Sequence, residues 1–235
     1  MADFLLIHGS CHGAWCWRDL IPELIALGHT ARAIDLPGHG SDPTAVDKIT
    51  LDAYARAILG EIETPVTLVG HSMAGYPISL AAELAPEKIA MLVYLCAYVP
   101  EPGKTLADMR RAAPRQPLMK AVIRASDGKS FTIDPEQTRE VFYHDCPGEA
   151  HDYANVRLCP QAVLPQETVC PLGAHYDSVP RRYIRCTDDR TIPPEYQETM
   201  TRDWPRADVH AIDTGHSPFF ADPAGLARLL TQITG

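Results

Sequence analysis

The sequence is poor in the features that mark several broad classes of protein. Its seven cysteines (Cys11, Cys16, Cys96, Cys146, Cys159, Cys170, Cys186) are odd in number, scattered, and nowhere spaced as C-x-x-C. That excludes a regular disulfide framework and points to small apolar fillers in a reducing compartment, so a cytoplasmic location is expected. No apolar run approaches membrane-spanning length. The first strand pattern begins within three residues of Met1, which leaves no room for a secretory signal peptide. Basic residues are outnumbered, 21 Lys and Arg against 30 Asp and Glu, for a formal net charge of −9. Nucleic acid and anionic membrane, both of which call for basic patches, are therefore not expected partners. There is no internal repeat and no low-complexity tract. What is present is 235 residues at 46% hydrophobic, enough for one good core.

Strand and helix patterns alternate along the chain. Strands are expected near 3–8, 30–35, 66–70, 89–96, 182–187 and 208–212, and helices near 15–27, 51–63, 73–85, 194–202 and 223–233. Leu51, Tyr54, Ala55, Ile58 and Leu59 illustrate the helical spacing i, i+3, i+4, i+7. Such alternation specifies a mostly parallel sheet of about six strands with helices on both faces, an α/β fold in one domain. Residues 100–180 break the rhythm. Pro100-Glu101-Pro102-Gly103 closes one core segment, and Ser178-Val179-Pro180 leads into the next. Between them lie short helical patterns at Leu106 to Arg111, Pro135 to Tyr143 and Gly148 to Leu158. The core is thus expected at 1–99 and 181–235, with an insertion at about 100–180.

The strand pattern Val66-Thr67-Leu68-Val69 runs into Gly70-His71-Ser72-Met73-Ala74-Gly75, and an alanine-rich helical pattern follows. A serine on a tight strand-to-helix turn is a nucleophile elbow: the turn lifts Oγ above the sheet, and the amide after it opens a helix N-terminus where a developing oxyanion can be held. Ala74 stands where the G-x-S-x-G pattern has its last glycine, with Gly75 one step later. Two further strands end in partners for that serine. Asp188-Asp189 follow Arg182 to Thr187, and His216 follows Asp208 to Ile212 through Asp213-Thr214-Gly215. The chain order serine, acid, histidine suits nucleophilic catalysis in which the imidazole carries the serine proton and a carboxylate fixes its tautomer. The acid is expected to be Asp189 or its neighbour Asp188, with Asp213 as a further alternative. Asp188 and Asp189 point to opposite faces, so only one of them can reach His216. After the first strand, His8-Gly9-Ser10-Cys11-His12-Gly13 offers a second oxyanion amide, by position that of Ser10, beside the amide of Met73. His8, Cys11, His12 and Cys16 also resemble metal ligands. They crowd into a single turn with no second ligand pair, so no metal and no cofactor are expected.

Several blocks together resemble the plant methyl-ester esterases and hydroxynitrile lyases of the α/β-hydrolase fold. They are Leu6 to Trp17, Ala33-Ile34-Asp35-Leu36-Pro37-Gly38-His39-Gly40, Gly70-His71-Ser72-Met73 and Cys186 to Gln197. The resemblance implies an α/β-hydrolase fold, places the family's aspartate on Asp189, and puts a substrate-binding cap between the family's sixth and seventh strands, where residues 100–180 fall. It also allows a homodimer. Phe142, Tyr143, Leu118, Met119 and Leu164 are candidate lining residues, each equally suited to packing inside the cap. The family's lyases carry a threonine where this chain has Gly9, and a cyanide-stabilising lysine where it has Ser217. The resemblance therefore implies a carboxylesterase acting on small, fairly apolar methyl or aryl esters. A hydroxynitrile-lyase-like enzyme and a ligand receptor with slow turnover are the alternatives. His8, His12, His39 and His71 are expected to brace the site. His29, His144, His151, His175 and His210 belong to no constellation.

Overall fold

The computed structural model describes residues 1–235. In chain order the strands are β1 (Asp3–Ile7), β2 (Thr30–Ile34), β3 (Val66–His71), β4 (Ile89–Leu95), β5 (Val122–Arg124), β6 (Ser130–Ile133), β7 (Gln161–Ala162), β8 (Arg181–Cys186) and β9 (Val209–Ile212). The helices are α1 (Leu20–Ala26), α2 (Leu51–Gly60), α3 (Gly75–Leu84), α4 (Leu106–Ala112), α5 (Thr138–Phe142), α6 (Gly148–Asn155), α7 (Ala174–Ser178), α8 (Pro194–Thr201), α9 (Pro218–Ala221) and α10 (Pro223–Thr234). Six strands form one sheet in the order β2-β1-β3-β4-β8-β9, and every neighbouring pair is parallel. This is the mostly parallel six-stranded sheet expected from the alternation, in the arrangement that the resemblance to α/β-hydrolases implies.

The near-continuous apolar runs of the inner strands follow from burial on both faces. Successive side chains of a strand point to opposite sides, and the core divides accordingly. Leu5 and Ile7 of β1, Leu68 of β3 and Leu92 and Tyr94 of β4 pack on one face with α2 and α3 residues such as Tyr54, Ile58 and Ile78. Phe4 and Leu6, Val69, and Val93 and Leu95 pack on the other with Trp17, Leu20 and the α10 residues Leu226 and Leu230. Because all six strands run the same way, their C-terminal ends, where such sheets place their sites, share one edge.

The chain between β4 and β8 departs from this plan. It holds a three-stranded antiparallel sheet, β5-β6-β7, which the sequence reading did not foresee, together with α4 to α7. The reason is length. Strands of three, four and two residues are too short to display a period of two. The first expected helix also differs: a 3-10 turn at Ala14–Trp17 precedes α1 in place of one continuous helix.

Candidate active site

Ser72 follows β3 directly, at φ +56°, in the left-handed region that L residues seldom occupy. The strain is of order 1–3 kcal/mol and persists only where surrounding structure enforces it. Here the amide of Tyr98 donates to the Ser72 carbonyl at 3.1 Å, and close packing forces the turn. A Cβ on Gly75 would lie 2.0 Å from the Tyr98 carbonyl oxygen, and one on Gly70 would lie 2.7 Å from Ile78 Cδ1. The glycine that the elbow needs is therefore Gly75. Ala74, at an ordinary helical φ of −62°, is accommodated with its side chain buried. The departure from G-x-S-x-G thus falls where a methyl group fits.

Asp189 and His216 come from the ends of β8 and β9. His216 Nδ1 donates to Asp189 Oδ2 at 2.8 Å, and both side chains are sealed from solvent. The amides of Thr191 and Ile192 donate to Oδ1 at 2.7 and 2.9 Å, and Gln197 Nε2 donates to Oδ2 at 3.0 Å. The carboxylate is thus oriented by four donors. The two alternative acids lie elsewhere. Asp188 is exposed and bonded to His144 Nε2 at 2.9 Å, while Asp213 accepts from Thr187 Oγ1. The imidazole of His216 is further fixed by Phe142, stacked at 5.8 Å, and by His71, whose Nε2 donates to the His216 carbonyl at 2.8 Å. The His216 Nε2 and the Ser72 hydroxyl have no hydrogen-bond partner in the protein, and both residues line one small, narrow cavity.

The loop after β1 enters the same cavity through Ser10 and His12. No turn, loop or cap hydrogen bond is donated by the amide of Ser10 or of Met73. His8 Nε2 accepts from the Leu36 amide at 3.1 Å, so its Nδ1–H donates to the Gly9 carbonyl at 2.8 Å. His12 Nδ1 donates to the Ser10 carbonyl at 2.8 Å, and its Nε2 accepts from the Tyr143 hydroxyl at 2.7 Å. Burial lowers both histidines, His8 well below the ordinary range and His12 to about 4, so both are neutral braces of the loop. With both rings so engaged, the suspected ligand cluster has no histidine nitrogen to spare. His71, Cys96 and His216 also bring donor atoms within 4.8 Å of one another. Of their ring nitrogens, His216 Nδ1 is committed to Asp189 and His71 Nε2 to a carbonyl, while the buried His71 Nδ1 has no hydrogen-bond partner. Burial keeps the Cys96 thiol protonated.

Of the side chains proposed to line the pocket, Leu118 and Phe142 do so. Tyr143 is buried on His12 instead, and Met119 and Leu164 are exposed. The lining also includes Leu106, Arg110, Phe131, Ile133 and Gln166, which the sequence reading missed. No local motif marks them, because they converge only through tertiary packing. A Cβ on Gly9 would sit 2.8 Å from His71 Nδ1 and 3.0 Å from Ser72 Cβ, so a threonine there would press on the elbow. Ser217 is fully buried, and its hydroxyl has no partner.

The sequence pattern of the Alpha/beta hydrolase family matches residues 4–229. The chain is 32% identical to "Methylesterase 7" of Arabidopsis thaliana, over 98% of its own length and 95% of that protein's. It is 31% identical to "Esterase PIR7B" of Oryza sativa subsp. japonica, over 98% and 94%. Among solved structures, a pyrethroid hydrolase from Sphingobium faniae JZ-2 superposes with a TM-score of 0.87 at 29% identity, covering 98% of this chain and 96% of that one.

Proposed function

The chain belongs to the Alpha/beta hydrolase family, and on that premise we propose that it is a serine carboxylesterase acting on small methyl or aryl esters through an acyl-enzyme on Ser72. In this reading Ser72 Oγ attacks the ester carbonyl while His216 Nε2 takes its proton. Asp189 holds Nδ1–H and stabilises the imidazolium as it forms. The amides of Ser10 and Met73 receive the oxyanion. Collapse of the tetrahedral intermediate expels the alcohol, which leaves with the proton from His216. Water then attacks the acyl-enzyme by the same route and frees the acid. We read residues of about 100–180 as the cap, since Leu106, Leu118, Phe131, Ile133 and Phe142 supply the apolar walls of the cavity. A reducing, cytoplasmic setting fits the seven free thiols.

The observation that carries the reading is the buried Asp189 carboxylate, oriented by four donors, of which one, His216, lines the same cavity as Ser72. Cyanide elimination is disfavoured because position 217 offers a sequestered hydroxyl rather than a cation. The direct test is hydrolysis of p-nitrophenyl butyrate with and without a serine-directed organophosphorus inhibitor. Turnover that the inhibitor abolishes is expected. Turnover that survives it, or no hydrolysis of any small ester, would defeat the proposal.

A further inference from the structure

One group in the cavity has no part in ester hydrolysis as just described. Arg110, in the last turn of α4, lines the space shared by Ser10, Ser72 and His216. It is half-buried, and burial pulls its pKa downward, though a guanidinium remains charged at any ordinary pH. Many arginines of the chain meet carboxylates, as Arg111 meets Asp108, Arg115 meets Glu195, Arg182 meets Asp208 and Arg190 meets Glu140. The others that do not (Arg124, Arg139, Arg157, Arg206 and Arg228) are all exposed to water. Arg110 meets none. Its Nη1 donates to the neutral Oε1 of Gln166 at 3.2 Å, and Gln166 Nε2 donates in turn to Ser10 Oγ at 2.8 Å. Glu167 acts on Arg110 only from a distance and is itself exposed, while Arg111 and Arg124 add positive potential.

Structural duties account for this side chain only in part. Bracing Gln166 needs one N–H donor, which a neutral amide could supply, whereas a guanidinium carries five. A helix C-terminus favours a cation in its last turn, but the neighbouring Arg111 already provides one on the exposed side. Drawing a guanidinium into an apolar-walled cleft without an anion is unfavourable. A ligand anion would complete the pair.

We propose that Arg110 is a specificity-determining residue that holds a carboxylate on the acyl part of the ester, so that the substrate class is the half-ester of a dicarboxylic acid with a small alcohol. The inference rests on the carboxylesterase reading, since a methyl-sized leaving alcohol bears no charge and the anion must then sit on the acyl chain. Leu106, Leu118, Phe131, Ile133 and Phe142 suit the methylenes between the two ends. Hydrolysis consumes one water and releases the alcohol, the dicarboxylate and a proton.

The test compares monomethyl glutarate with methyl butanoate in a pH-stat, for the wild type, Arg110→Met and Arg110→Lys. The wild type should favour the half-ester in kcat/KM. Arg110→Met should lower the ratio of half-ester to neutral ester by about tenfold to a hundredfold, chiefly through KM, as expected for losing a charge-assisted hydrogen bond. Arg110→Lys should fall between. A parallel loss on both esters, with the ratio unchanged, would mean that Arg110 merely braces Gln166 and would overturn the proposal. Calorimetric titration of Ser72→Ala protein with monomethyl glutarate separates this inference from the esterase reading. Binding that vanishes on adding Arg110→Met supports the anion site even if no ester is turned over, in which case the esterase reading alone falls. Binding that ignores Arg110, or no binding at all, removes the anion site.

Discussion

The two parts of the molecule that meet at the cavity hold their side chains by different means. On the sheet side, position is imposed by backbone. Residues of positive φ follow β1, β3 and β4 (Cys11 +63°, Ser72 +56°, Cys96 +35°), and the Asp189 carboxylate is gripped by two amides and Gln197. On the side of the segment between β4 and β8, position comes from side-chain packing over a small antiparallel sheet whose surface carries the exposed Ile123. The contrast separates two tasks. Reacting groups must be placed to fractions of an ångström, which strained turns at strand ends can do. Walls that choose among esters need shape and one or two polar contacts, and a side-chain surface supplies these without disturbing the chemistry.

The sharpest way to break the contrast is at the acid. Asp189→Asn should lower kcat by about 10³- to 10⁴-fold, roughly 4–5.5 kcal/mol of transition-state stabilisation, because the tautomer and the imidazolium both lose their support. Asp188→Asn, on an exposed residue bonded to His144, should change kcat less than about threefold, within the range of a surface contact. Steady-state kinetics on the two variants check this, and the reverse ranking would move the acid to Asp188.

Acid should also strike the sheet side first. His8, His12 and His71 are buried in neutral form, with pKa values lowered by desolvation, that of His12 to about 4. In the unfolded chain each would bind a proton near pH 6.5. Below that pH the unfolded state therefore holds more protons than the folded one, and stability is lost as pH falls from about 6.5 toward the folded values. Each histidine adds up to about 1.4 kcal/mol per pH unit. Urea midpoints taken between pH 7.5 and 5 should fall steadily below pH 6.5. A flat profile would mean that these rings accept protons in place.

The smallest effect is expected on the inserted segment. Phe131→Leu should shift the kcat/KM ratio between long and short acyl p-nitrophenyl esters by a few-fold to about tenfold, the scale of one or two methylenes in an apolar pocket. The effect on kcat for the short ester should be small. A loss of kcat comparable to that of Asp189→Asn would show that the walls position the reacting groups as well.

The same division explains what could be read from the sequence. Six strands, the elbow at Ser72 and the strand-end positions of Asp189 and His216 each leave a local trace: an apolar run, a turn of small residues, a polar residue at the point where a run stops. The choice between Asp188 and Asp189 needed the family resemblance, because both are carboxylates in adjacent positions. Arg110 and Gln166 left no trace, for they lie 56 residues apart and reach Ser10 through a relay that only the folded chain assembles. Val122–Arg124 and Gln161–Ala162 were equally silent, being strands too short to show a period.

Ser72, held by the strained turn after β3, is the proposed nucleophile, and turnover of Ser72→Ala protein on p-nitrophenyl butyrate, with folding checked by circular dichroism, tests that role. Alanine can occupy the turn that serine occupies, so the fold should persist. The expected result is a native spectrum and a kcat reduced by about 10⁶-fold, to the limit of detection. A well-folded Ser72→Ala protein that keeps more than a small fraction of wild-type kcat, free of contaminating esterase, would contradict it.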